Sequence, residues 1–135
     1  MVPYGTFEYW QELKKLWDAD DNLKNELFKG YDSTLIFRCS DKEHLDQYKG
    51  IFLDVKDGVI TDIRVCESKD EKARAVTTGT YAIWKQIVSG TLDPTKALLT
   101  RKLQLAGPMG EVLKYMKGWM RLIQLLAEVP TDWEE

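Results

Sequence analysis

The chain reads as an α+β protein: a mainly antiparallel sheet of about five strands, helices packed on one face of it, and a long C-terminal helix. Three observations predict this. Apolar residues recur at helical spacing before residue 30. Segments between Leu35 and Thr78 alternate apolar and polar residues at period two. Helical spacing then returns after Thr80, broken only by the alternation of Leu103 and Leu105. A block of consecutive strands bounded by helices places those helices on one face of the sheet.

Each element has its own signal. Trp10, Leu13 and Trp17, with Leu16 beside them, predict a first helix. Asp20 or Asp21 is placed to cap a second short helix carrying Leu23 and Leu27, with Gly30 at its end. In Leu35–Cys39, positions 35, 37 and 39 share one face. Ile51–Val55 and Val59–Val65 form a hairpin, and two loops are open to it. An Asp57-Gly58 loop sets Leu53 opposite Asp62 and Ile51 opposite Arg64. A Lys56-Asp57-Gly58 loop pairs Val55 with Val59, Leu53 with Thr61 and Ile51 with Ile63. The second keeps the apolar set on one face, with Gly58 in the left-handed position of a bulge, and is the predicted register.

A short strand is predicted over Ala73–Thr78. Thr80 opens a helix bearing Tyr81, Trp84, Ile87 and Val88 that Gly90 closes. Asp93-Pro94 reads as a cap followed by proline at the first helical position, leading a helix with Ala97, Leu98 and Leu99. Gly107-Pro108-Met109-Gly110 turns the chain into the last helix.

Composition narrows the function. The 135 residues are 44% hydrophobic and 30% charged, the balance of a single globular domain over residues 1–135 that includes the helical segment 1–30. A formal charge of −3 argues against a nucleic-acid binder relying on bulk charge and against a polybasic membrane anchor. No window approaches the roughly 20 apolar residues of a membrane span, so no stable membrane insertion is expected. The start, Met1-Val2-Pro3-Tyr4-Gly5, lacks a signal peptide's basic and apolar runs. Two cysteines are too few for a disulfide framework, and the expected location is cytoplasmic.

The last helix carries the functional signal. Counted at 100° per residue from Met109, its apolar positions run from Val112 to Ala127 and cover an arc of about 180°, against roughly 100° for an ordinary surface helix. Lys114, Lys117, Arg121 and Gln124 fill the opposite arc, with Leu125 the one large apolar residue among them. A stripe this wide is sandwiched in a core, forms a subunit interface, or lines a cavity. Three of the four methionines, Met109, Met116 and Met120, lie on it, and methionine suits a wall that accepts varied shapes.

Reactive chemistry finds little footing. His44, the single histidine, lies in a polar connection five residues after Cys39, and reads as a solvated loop residue. Asp18-x-Asp20-x-Asn22 begins like a calcium loop, but Leu23 and Lys29 stand where glycine and glutamate are required. That cluster reads as helix capping, and no metal or cofactor is expected. Asp54 and Asp62 share the polar sheet face, where solvation accounts for them.

The stretch Trp84-x-x-Ile87-x-x-Gly90-Thr91-Leu92-Asp93-Pro94-x-x-Ala97-Leu98, followed by Lys102-Leu103-x-Leu105-x-Gly107, resembles the sterol carrier protein two family. The strand block Leu35–Val65 is similar in order, so the likeness spans about residues 30 to 128. The chain departs from the family pattern at Arg101 and Pro108. The resemblance implies an apolar tunnel between sheet and helices that holds fatty acid, acyl-CoA, phospholipid or sterol-like molecules noncovalently, with no enzymatic role. Its candidate lining is Trp84, Ile87, Val88, Leu103, Leu105, Met109, Leu113, Met116, Trp119, Met120 and Ile123. The alternatives are a homodimeric interaction module built on the final helix, and a small acyl-transfer enzyme using Cys39 or Cys66. Nothing near either cysteine in sequence activates it.

Overall fold

A computed structural model describes residues 1–134. A two-residue strand, β1 (Val2–Pro3), precedes helix α1 (Phe7–Asp18). Thr6 caps α1, its hydroxyl oxygen accepting the Tyr9 N–H at 3.3 Å. Tyr9, Trp10, Leu13 and Trp17 form the buried stripe. Asp20 then accepts the Leu23 N–H at 2.9 Å. The expected second helix is a wider π turn (Leu23–Leu27), closed by Phe28 N–H on the Leu23 carbonyl at 2.8 Å.

Strand β2 (Ser33–Cys39) leads through a short helix, α2 (Asp46–Lys49), to β3 (Ile51–Lys56) and β4 (Val59–Val65). Residues 40–46 carry no helical periodicity, and α2 exists through its tertiary bonds. Asp46 accepts the Phe7 N–H at 2.7 Å, and the buried Gln47 accepts the Trp10 indole N–H at 3.1 Å. Then come β5 (Ala75–Gly79), α3 (Tyr81–Val88), α4 (Pro94–Leu99), β6 (Gln104–Ala106), α5 (Met109–Lys114), α6 (Met116–Glu128) and β7 (Thr131–Asp132). Thr80 caps α3 and Asp93 caps α4, as their sequence signals require. β5 starts at Ala75, two residues later than expected.

The sheet order is β4-β3-β2-β5-β6, antiparallel throughout except for the parallel central pair β2–β5. β1 and β7 pair separately and in parallel, which no sequence signal foretold. The hairpin register differs from expectation. The loop is two residues long, Asp57 and Gly58, both at positive φ (48° and 76°), and Lys56 pairs with Val59. A bulge between Asp54/Val55 and the facing strand leaves Thr61 unpaired, so Leu53 faces Ile63 and Ile51 faces Val65. The apolar face is thus kept by a tight turn plus a bulge, not by a longer loop. Tertiary contact selects the turn: Gly58 accepts the Trp17 indole N–H at 2.8 Å and donates to the Tyr31 carbonyl at 3.0 Å. A Cβ on Gly58 would come within 2.7 Å of the Lys24 and Phe28 carbonyl oxygens.

Asp54 and Asp62 sit directly opposite each other on the polar face. Like charges in that position repel. Asp62→Lys is expected to stabilise the fold by about 0.5–1 kcal/mol, read as a higher urea midpoint at low salt.

The final helix is not continuous. It breaks at Tyr115 (φ −102°, ψ 21°) into α5 and α6. The break resets the helical phase. Leu125, assigned to the polar arc by counting from Met109, is buried at 3% exposure, while Met109, Leu113 and Met120 are 38%, 46% and 37% exposed. α6 is sandwiched: Gly118, Leu122 and Leu125 face inward, and α6 packs on α1, the π turn and α3.

Candidate functional site

Helices α3, α4, α5 and α6 do not close completely on the sheet. An apolar cavity of about 60 Å³ remains between them. Its sheet wall is Leu35 and Phe37 from β2, Ala75 and Thr77 from β5, and Leu103 and Leu105 at β6. Its helix wall is Trp84 and Ile87 from α3, Pro94 and Leu98 from α4, Val112 from α5, and Met116, Trp119, Leu122, Ile123 and Leu126 from α6. The hollow follows from residue size, because Ala75 and Thr77 are short where the flanking strands carry Leu, Phe and Leu. Pro94 and Leu98, four residues apart, show one face of α4 to it.

Phe37 stands at the centre of the wall. Trp10 stacks on it at 5.1 Å, while Trp84 and Trp119 meet it edge-on at 6.2 and 6.3 Å. Trp84 is held in place by its indole N–H, which donates to the Arg38 carbonyl at 3.0 Å. The Trp119 indole N–H is buried and has no partner among the described residues. Such a group costs about 1–3 kcal/mol while unpaired.

The structure brings Trp84, Ile87, Leu103, Leu105, Met116, Trp119 and Ile123 of the sequence-derived candidates to the cavity. Val88 is buried elsewhere in the core. Met109 and Leu113 are on the surface, outside the cavity. Met120 lines a shallow surface groove with Leu27, Lys117 and Arg121, and Met116 borders both that groove and the cavity. On the sheet floor the sequence reading had Leu103 and Leu105 but missed Leu35, Phe37, Ala75 and Thr77, although the shared face of positions 35 and 37 and the short residues 75 and 77 marked them. It also missed Pro94, Leu98, Val112, Leu122 and Leu126.

The polar candidates are occupied structurally. Asp20 caps the π turn and accepts the Arg121 guanidinium at 2.7 Å. His44, exposed, hydrogen-bonds Glu134. The Cys39 thiol donates weakly to Asp41 at 3.4 Å, and burial pushes it up to about 11. Burial, followed by the nearby Glu71 carboxylate, also raises the Cys66 thiol. A thiol shifted this way stays protonated at neutral pH, the reverse of an activated nucleophile.

The SCP-2 sterol transfer family matches residues 11–118 of the sequence. The chain belongs to that family. Among solved structures, a crystal structure of sterol carrier protein 2 superposes with a TM-score of 0.80 at 19% identity, covering 93% of this chain and 98% of that one. A conserved protein of Thermus thermophilus, described as possibly a sterol carrier protein, gives 0.75 at 22% identity over 98% and 93%. The sterol carrier protein 2 of Aedes aegypti, solved in complex with the C16 fatty acid palmitate, gives 0.55 at 17% identity over 87% and 93%. At these identities the likeness is one of fold. Compared by sequence with curated proteins, the chain has no match. Family membership agrees with the expected fold class: the five-stranded, mostly antiparallel sheet and the C-terminal helix are those of its structural neighbours.

Proposed function

We propose that this family member is a noncovalent carrier that holds the apolar tail of a lipid in the cavity beneath α3, α4 and α6. The observation that carries this reading is the cavity's lining, in which Thr77 is the one residue outside the aliphatic, aromatic, proline and methionine set. Apolar contact suffices for binding. Each buried CH₂ contributes about 0.8 kcal/mol. A 16-carbon tail therefore offers roughly 12 kcal/mol gross, against about 8 kcal/mol net for micromolar affinity. The palmitate held by the Aedes aegypti neighbour supports a fatty acyl ligand. Acyl-CoA, phospholipid and sterol-like molecules share that chemistry.

At about 60 Å³ the empty cavity is smaller than the roughly 300–1,000 Å³ of ordinary small-molecule pockets. Loading therefore widens it. Met116, unbranched and half-buried, is the side chain placed to swing aside, and the break at Tyr115 lets α6 shift without moving α5. One acceptor oxygen on the ligand would satisfy the unpaired Trp119 N–H. The homodimer reading is less favoured, since Leu122, Leu125 and Leu126 of the stripe are buried within the chain itself. The raised thiols favour a carrier over acyl-transfer chemistry.

Titration with a fluorescent fatty acid, together with native mass spectrometry, tests the proposal. The expected result is saturable uptake of one ligand per chain and quenching of tryptophan emission as Trp84 and Trp119 meet it. Absence of saturable uptake would overturn it.

A further inference from the structure

The cavity wall holds few polar groups, and most of them are spent. Its floor strands pair backbone to backbone, β2 with β5 and β5 with β6. Among the lining side chains only Thr77, Trp84 and Trp119 carry an N–H or O–H group. The Trp84 N–H is committed to the Arg38 carbonyl at 3.0 Å. The half-buried Thr77 hydroxyl makes no hydrogen bond among the described residues. The Trp119 N–H is buried and also makes none. Its ring stands edge-on to Phe28, Tyr31 and Phe37 at 5.0, 5.8 and 6.3 Å, an aromatic surround in which the nitrogen meets no oxygen.

The chemistry of the unspent group restricts what can match it. An indole N–H donates and never accepts, so its partner must be an acceptor. Its nitrogen is shielded from solvent, and a guest seated in the hollow is the group placed to reach it. No lining residue is charged. A carboxylate drawn in here would exchange its water for one neutral donor, a loss that a single hydrogen bond does not offset. A ketone, ester or ether oxygen enters at a fraction of that cost and pairs the donor.

We infer that Trp119 is a specificity-determining residue: its N–H selects lipids that carry an uncharged acceptor oxygen within the apolar body over lipids whose only oxygens are an ionised carboxylate. This rests on the carrier reading of the same cavity. Ketones, esters, ethers and sterol-like alcohols form the favoured class, and for an alcohol the Thr77 hydroxyl is a second group on the wall able to donate or accept. A free fatty acid enters by its tail, leaves its carboxylate outside the lining and is held by apolar contact alone.

Competition against a bound fluorescent fatty acid, with the full chain, tests the inference. The competitors are dodecane, dodecanoate, and dodecanones with the carbonyl near the end or near the middle of the chain. Trp119→Phe keeps an aromatic ring and removes the donor. It is expected to weaken a dodecanone about tenfold more than dodecane, while dodecanoate moves in step with dodecane. In the unaltered chain, the Trp119 indole N–H proton resonance should move downfield with that dodecanone and not with dodecane, which needs no variant to fold. Equal weakening of dodecanones and dodecane, or a resonance that dodecanones leave in place, overturns the inference and leaves the carrier standing. A loss for dodecanoate as large as for the dodecanone also overturns it, because the N–H would then serve the carboxylate. A difference that vanishes in Thr77→Val and persists in Trp119→Phe would move the contact to β5 and overturn the assignment. If the fluorescent fatty acid itself fails to bind saturably, the carrier reading falls and this inference falls with it.

Discussion

Replacing Met116 with lysine is expected to abolish fatty acid uptake while leaving the protein folded. The side chain borders both the cavity and the surface groove beside Lys117 and Arg121. A lysine there can run its methylenes along the apolar wall and keep its ammonium at the groove, so the fold survives. A ligand tail that widens the cavity at this position would press on that side chain and strip water from its ammonium, a desolvation that an alkyl chain cannot offset. Uptake should fall by at least about a hundredfold, with an unchanged far-UV spectrum. Met120→Lys is the matched control. Its parent side chain is 37% exposed in the groove and does not line the cavity, so uptake should change by less than about twofold. Equal loss in both variants would place the site on the groove instead.

Gly118→Ala is expected to destabilise the protein by about 2 kcal/mol, although the same change on an exposed helix stabilises by about 1 kcal/mol. A Cβ at Gly118 would overlap the Phe28 ring. That ring cannot retreat. It is fully buried, stacked on Trp17 at 5.3 Å and Tyr31 at 5.2 Å, with Trp119 edge-on at 5.0 Å. The urea midpoint should fall accordingly, and Phe28→Leu in the Gly118→Ala background should recover part of the loss as a coupling between the two sites. A rise in stability would mean that α6 does not approach the π turn this closely.

What the sequence makes legible is local or periodic. Trp10, Leu13 and Trp17 announce α1, and Asp93-Pro94 announces α4, because caps and helical spacing act within a few residues. The period-two face of β2 and β3 is equally plain. Features set by distant partners are not. The two-residue hairpin turn is chosen by Trp17 and Tyr31, which bond Gly58 from outside the hairpin. α2 depends on Asp46 holding the start of α1. The break at Tyr115 carries neither proline nor a side-chain cap, so a count through it misplaced Leu125 and led to Met109, Leu113 and Met120 being grouped with the wall. For the candidate site, the helix side was legible through Trp84, Met116 and Trp119 and the β6 side through Leu103 and Leu105, while the β2–β5 part of the floor needed the parallel pairing that puts Ala75 beside Leu35.

The pairing of β1 with β7 joins Val2 to Thr131, and Trp133 stacks on Tyr4 at 4.5 Å. Topologically the folded chain is almost a closed ring. The entropy lost in closing such a ring grows only with the logarithm of its length, each doubling adding about 0.6 kcal/mol, so the short ladder, the packing of Trp133 on Tyr4 and Tyr81, and the Glu134 N–H on the Tyr81 hydroxyl are enough to hold it. Together with the Tyr9 hydroxyl, which donates to the Leu126 carbonyl at 2.9 Å, the ring moors the end of α6 remote from Met116 to the start of the chain, so the hollow's roof is anchored at its far end.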